Sequence, residues 1–224
     1  MMKLDTISKD EASRYMGVKG TPDDNIKAIL DRLEPVVRAQ LRPAYVYRET
    51  NISFTDEGVK ADIGLLLTGN DIRRHLSGCK KAILFAATVS AAADKLIRQA
   101  AVTDMAEALA VDCLCSAAIE QVCSKAEEEI FSVSKAAYRT WRFSPGYGDL
   151  PISTQRDFLL ALNAQRRIGL TVTESSLLIP SKSVTAIIGI SDTPLAESKH
   201  GCEVCRMREN CAFSHSGGCK RNVN

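Results

Sequence analysis

"WRFSPGYGDLPISTQRDF", residues 141–158, is the least ordinary stretch of this chain. It sets the single tryptophan, Arg142, two of the seven prolines and two glycines around Tyr147. Pro145 and Gly146 suit a turn whose backbone is open to close approach. Arg142 carries a permanent charge on a planar fork that matches a carboxylate, and such bonds contribute about 1.5–3 kcal/mol when shielded from water. Tyr147 adds a hydroxyl and an aromatic face able to attract a cation. The same residues also suit a structural turn, with Trp141 and Tyr147 at a core edge and Arg142 in a surface ion pair. On the residues alone both readings stand.

Working outward, helices and strands mix without regular alternation. "SKDE" at Ser8–Glu11 fits a capping box, and "TPDD" at Thr21–Asp24 supplies an N-cap, a first-turn proline and acids suited to the helix dipole, which predicts helices near 9–16 and 22–40. "AYVYRETNISF" alternates as a strand does, "KADIGLLLTG" is expected as another, and "NDIRRHLSGC" as a short capped helix before the buried strand "KAILFAAT". Thr88 is placed to cap a helix over 89–100, and 104–130 has the apolar spacing of a long helix. Beyond the opening stretch, Ser153 begins a helix to about Arg167, "GLTVT" is extended, and "SVTAIIGIS" is the last strand. The expected fold class is α+β, with helices packed on a mainly antiparallel sheet.

Composition narrows the function. The 224 residues are 45% hydrophobic and 25% charged, which is globular material able to bury roughly 70% of its unfolded surface. Lys plus Arg total 29 against 27 acids, a net charge of +2 that argues against nucleic-acid partners. The amino terminus has acids where a signal peptide needs an apolar core, and no stretch of about 18 uncharged apolar residues occurs, so a cytoplasmic protein without membrane partners is expected. No G-x-G-x-x-G or phosphate loop supports nucleotide chemistry, and His75, His200 and His215 stand apart from any G-x-S-x-G turn or H-E-x-x-H helix.

The turn R-x-x-x-G-Y at Arg142–Tyr147, followed at the expected distance by "TES" at Thr173–Ser175 and "IPSKSV" at Ile179–Val184, resembles the S-adenosylmethionine-binding activation domain of cobalamin-dependent methionine synthase. The likeness extends more weakly upstream and covers roughly residues 10–192. It implies a curved antiparallel sheet with packed helices over residues 1–192. It also implies a ligand that remethylates cob(II)alamin, with one electron from a reductase or ferredoxin. Carried over by position, Arg142 would take the ligand carboxylate, and the backbone of Ser144, Pro145 and Gly146 would contact the adenosyl part. Tyr147 would close the pocket and Glu120 would hold the amino group. Glu174 is a further pocket or sheet-edge acid, while Glu127, Glu128 and Glu129 include solvated helix residues. Where the family's last strand carries an aromatic pair facing the ligand, this chain has Ile187 and Ile188. The 224 residues leave no room for homocysteine, folate or cobalamin modules, and Arg73 replaces the aspartate of D-x-H-x-x-G at His75. A stand-alone reactivation protein acting on cobalamin held by a partner corrinoid-binding methionine synthase is therefore expected. A non-catalytic module that senses S-adenosylmethionine or scaffolds another corrinoid methyltransferase is the alternative.

Residues 193–224 form a linker and a tail in which Cys202, Cys205, Cys211 and Cys219 stand as C-x2-C-x5-C-x7-C. Thiolates ligate both zinc and iron-sulfur centres, so either metal fits, with uncoordinated or disulfide-forming cysteines as the remaining reading, and an iron-sulfur cluster would be suited to electron delivery. The tail has few apolar residues and needs such a staple to fold. Cys113, Cys115 and Cys123 are expected as small core residues of the long helix.

Overall fold

The computed structural model describes residues 2–134 and 136–195. In chain order its elements begin with helices α1 (Lys9–Tyr15) and α2 (Asp24–Gln40) and strands β1 (Ala44–Phe54), β2 (Val59–Ala61) and β3 (Leu65–Leu67). Helix α3 (Asn70–His75), strand β4 (Lys81–Thr88), and helices α4 (Ala91–Thr103) and α5 (Met105–Val133) follow. The last third holds β5 (Tyr138–Arg139), a 3-10 turn at Ile152–Thr154, α6 (Gln155–Leu162), α7 (Ala164–Ile168), β6 (Thr171–Val172), β7 (Leu178–Ile179) and β8 (Ser183–Ser191).

Local chemistry sets the helix ends, with some departures from expectation. Ser8 accepts from the Glu11 amide at 3.2 Å, but the Glu11 carboxylate pairs with Arg14 at 2.7 Å instead of closing the capping box. Asp23, not Thr21, caps α2, accepting from the Ile26 amide at 2.8 Å and leaving Pro22 outside the helix. Ser90, not Thr88, caps α4, because Thr88 is still paired in β4 and its hydroxyl receives the Ser90 amide. The helix expected from Ser153 to Arg167 breaks at Asn163, whose φ of 51° reverses the chain. "KADIGLLLTG" is a hairpin of β2 and β3 turning at Gly64 (φ 83°), not one strand.

Six strands form one antiparallel sheet in the order β3-β2-β1-β4-β8-β5, and β6 pairs with β7 separately. The α+β class with an antiparallel sheet is as expected. Its long middle strands set the register through Tyr47 opposite Phe85 and Phe85 opposite Ala186. Strand β4 is buried at every position after Lys81, which places it between two cores. Ile83, Phe85 and Ala87 meet the layer containing α1, α2, α4 and α5, while Ala82, Leu84 and Ala86 meet the layer of α3, α6, α7 and the β2–β3 hairpin. This is the period-2 alternation of a strand covered on both faces. Helix α5 is the spine of the first layer, with Ala110, Leu114, Ala118 and Val122 fully shielded along it. Cys113, Cys115 and Cys123 are buried there as expected, and burial pushes their thiols up to about 11, 12 and 12. Among the described residues, no helix is long and apolar enough to cross a membrane.

Leu114 is fully buried in the spine. Leu114→Ala should cost about 2–5 kcal/mol. Urea unfolding checks this: the midpoint should fall with an unchanged slope, since the fold is retained.

Candidate functional site

At the start of β8, a cleft of about 190 Å³ opens where α5, the 142–147 segment, α6 and the β6–β7 hairpin converge. Glu120, Arg142, Ser144 and Tyr147 line one part, and Gln155, Leu178, Ser183, Val184 and Thr185 the rest. Its volume is below the ~300 Å³ of typical small-molecule sites, so a nucleoside-sized ligand must extend through its mouth. A larger groove of about 940 Å³ between α1 and α2 is walled by lysine, aspartate and arginine and contains no predicted site residue.

Arg142 is the electrostatic centre of the cleft, with only 14% of its side chain exposed. Its Nη2 donates to Glu120 Oε2 at 3.1 Å, and its Nε lies 2.6 Å from Glu127 Oε1. Burial disfavours the guanidinium charge, but the Cys123 thiol and both carboxylates outweigh it and push the arginine above its usual pKa. For Glu127, burial dominates and raises the carboxyl above the ordinary glutamate value, against the pull of Arg142. Glu127 Oε1 is shielded from water without a well-aligned hydrogen bond despite its nearness to Arg142. Two carboxylates facing one guanidinium give the cluster one excess negative charge when all three groups are ionised.

The predicted residues separate clearly. The fold brings Glu120, Arg142, Ser144 and Tyr147 into the cleft. Pro145 is buried behind it, and Gly146 (φ 91°) turns the chain against Ile152, whose Cδ1 would lie 2.9 Å from an added Cβ. Glu174 sits in the exposed turn between β6 and β7, outside the lining. Cys202, Cys205, Cys211 and Cys219 lie outside the described residues, among which no His, Cys, Asp and Glu cluster suits a metal. Ile187 and Ile188 are fully buried in opposite core layers and do not line the cleft.

Glu127, one of three consecutive glutamates expected to include solvated helix residues, faces Arg142 beside Glu120. The available signal was spacing, because residues seven apart return to one helix face after about two turns. Gln155 and Thr185 were also missed, and their pairing across α6 and β8 has no local signature. Nor did the sequence announce that Lys182 Nζ reaches Asp112 at 2.8 Å and Ser116 at 2.9 Å, with the Ser181 amide on Asp94 at 3.2 Å. Those bonds tie the 181–185 wall to α4 and α5.

A second device holds the 140–149 segment. Phe143 and Ile187 exchange backbone hydrogen bonds of 2.9 and 2.8 Å, and the Thr140 amide donates to Gly189 at 2.9 Å. Helix α3 splints the same segment at both ends. Asp149 accepts the Asn70 and Asp71 amides at 2.7 and 2.9 Å, capping α3 from a distance. At the other end, His75 packs on Trp141 and Phe143 with ring centroids 4.6 and 4.9 Å away, and its Nε2 is 2.8 Å from Thr140 Oγ1. Burial lowers His75 from 6.5 to about 4, partly offset by a hydrogen bond to the Trp141 backbone. A neutral ring satisfies both contacts, accepting from the hydroxyl and donating to the backbone.

This α+β domain sets a carboxylate-flanked arginine on a glycine turn beside the sheet. Residues 75–194, more than half of the chain, match the family described as vitamin B12 dependent methionine synthase, activation domain, and the chain belongs to that family. Among solved structures it is similar to the "Crystal Structure of the MetH Reactivation Domain bound to AdoHcy". That likeness has a TM-score of 0.55 at 14% identity and covers 86% of this chain and 79% of that one, a similarity of fold. No curated protein matches the chain.

Two measurements check the splint. Asp149→Ala should lower stability by about 0.5–2 kcal/mol through loss of a helix cap, read by thermal unfolding. His75, with its folded pKa depressed, contributes full stability above its unfolded value near 6.5 and loses it as pH falls toward about 4. The loss should be on the order of 3 kcal/mol across that window, and its share of the pH slope should vanish in His75→Gln.

Proposed function

We propose that the cleft binds S-adenosylmethionine and that the protein supports reductive methylation of cob(II)alamin carried by a partner corrinoid-dependent methionine synthase. The observation that carries this reading is Arg142, buried between Glu120 and Glu127 in a protein of the activation-domain family. The ligand brings one carboxylate and two cationic centres, an ammonium and a sulfonium. Its carboxylate takes the guanidinium fork in place of a protein carboxylate, and Glu120 then takes the ammonium. The excess negative charge of the cluster favours the sulfonium. Ser144 and Tyr147 provide a polar edge and an aromatic face for the adenosyl part.

When bound, the ligand supplies an electrophilic methyl group, and reduced cobalt is the nucleophile, so the protein needs no general base. Its contribution is to hold the ligand in one orientation. The 181–185 wall, fixed by Lys182 and Asp94, and the 140–149 segment, fixed by α3, make that orientation rigid.

We also propose that Cys202, Cys205, Cys211 and Cys219 hold iron-sulfur or zinc. Their spacing in the sequence supports this. Anaerobic purification with absorbance spectra and metal analysis distinguishes the two metals, and a metal-free preparation retires the idea.

Calorimetry with S-adenosylmethionine tests the central step. Wild type should bind, and Arg142→Lys, which keeps the charge but loses the fork, should weaken binding by roughly 10–150-fold, equivalent to about 1.5–3 kcal/mol. No binding by wild type at millimolar ligand removes the proposal. With a cob(II)alamin-loaded partner and a reductant, S-adenosylmethionine should yield methylcobalamin. Binding without methylation in a verified complex assigns the protein to sensing or scaffolding.

A further inference from the structure

Among the described residues, Gln155 is a polar side chain of the cleft lining that is buried to 5% exposure and has a donor to spare. It opens α6 immediately after the 3-10 turn at Ile152–Thr154. Its Oε1 accepts from Thr185 Oγ1 at 2.6 Å, a buried bond between α6 and β8 that fixes the plane of the carboxamide. Among the described residues, Nε2 has no protein acceptor. It is nevertheless not sealed, since the shielded side-chain polar atoms left unsatisfied among the described residues are Glu127 Oε1 and Trp141 Nε1. The opening available to Nε2 is the cleft that Gln155 lines.

Water in the open cleft can satisfy this donor, whereas a ligand that displaces the water without offering an acceptor leaves it buried and unpaired, so a ligand with a matching acceptor is favoured. The chemistry of the remaining walls indicates which part of a ligand arrives there. Arg142 and Glu120 are charged and suit a zwitterionic end. Leu178, Val184 and the Tyr147 ring are apolar surfaces that suit a flat base. A carboxamide among apolar walls presents a directional donor to a heteroaromatic edge, as glutamine does toward adenine.

We infer that Gln155 is a specificity-determining residue that donates from Nε2 to a purine ring nitrogen of the bound nucleoside, with Thr185 holding the carboxamide in that orientation. This inference rests on the S-adenosylmethionine reading above. It explains why a long polar side chain is buried at this point: its acceptor is engaged within the fold and its donor is left for the ligand. A site built around such a donor discriminates against a base that lacks the matching acceptor, because the donor is then buried unpaired.

Calorimetry of the full chain with S-adenosylmethionine and its 1-, 3- and 7-deaza analogues tests the assignment. Wild type should bind one analogue roughly tenfold more weakly than the parent, equivalent to about 1.4 kcal/mol, and the other two nearly as well. Gln155→Met, of similar length without a donor, should bind the parent about tenfold more weakly and show no further loss with that analogue. Gln155→Glu keeps an acceptor for Thr185 and is judged by the same loss of discrimination if the methionine variant does not fold. Equal affinity of wild type for all four ligands overturns the inference, as does a penalty that persists in the variants, and both leave the binding proposal intact. Failure of wild type to bind the parent overturns both.

Discussion

Arg142 lies between Glu120 and Glu127, and the geometry of the cleft follows from that contact. The two carboxylates project from one face of α5, the spine of one core layer, whereas the guanidinium comes from a segment bonded to the edge of β8. The cluster therefore fastens the helical layer to the cleft-lining turn. A partly buried ion pair adds little net stability once desolvation is counted, but removing the arginine would leave two carboxylates facing each other without a counter-charge. Its structural value is registry: the turn at Pro145–Gly146 is held at one distance from α5. Its chemical value is imbalance, because the pair of acids is incompletely neutralised by one arginine.

Everything around the cluster limits movement. Strand β4, covered on both faces, fixes β8 from one side, and the 140–143 segment closes the other. Lys182 reaches α5, Ser181 reaches α4, and α3 bridges the 140–149 segment through His75 and Asp149. Gly148 (φ 53°) belongs to this arrangement, since an added Cβ would fall inside the Asp71 carboxylate of α3. Cleft walls thus come from regular elements or from loops bonded to them.

The fold was legible where one physical signal dominated. Alternation in "AYVYRETNISF" marked β1, and the apolar run "KAILFAAT" marked a strand buried on both faces. Capping signals found the starts of helices to within a few residues. They erred where two candidates competed, as with Thr21 against Asp23 and Thr88 against Ser90, because the ladder or loop that holds the losing residue is decided in tertiary structure. Short strands such as β5 and β7 depend on pairing with distant segments and have no local pattern of their own. In the site, Arg142 and Tyr147 were visible through their unusual turn, and Glu120 through family likeness. Glu127 was hidden among three consecutive glutamates, and only its distance of two helical turns from Glu120 distinguished it. Gln155 became visible only when α6 and β8 were brought together.

The position of β8 in the sheet also fixes when the cleft can form. It enters between β4 and β5, pairing Lys81 with Ile190 and Thr88 with Ser183 across about a hundred intervening residues. Contacts of such separation are slow to form. Helices α1 through α5 and the antiparallel pair of β1 and β4 all precede Val184 and Thr185 in the chain. Arg142 has no β8 edge to rest on until the chain has emerged past Ser191. The cleft thus depends on completion of the sheet and not on the helices alone.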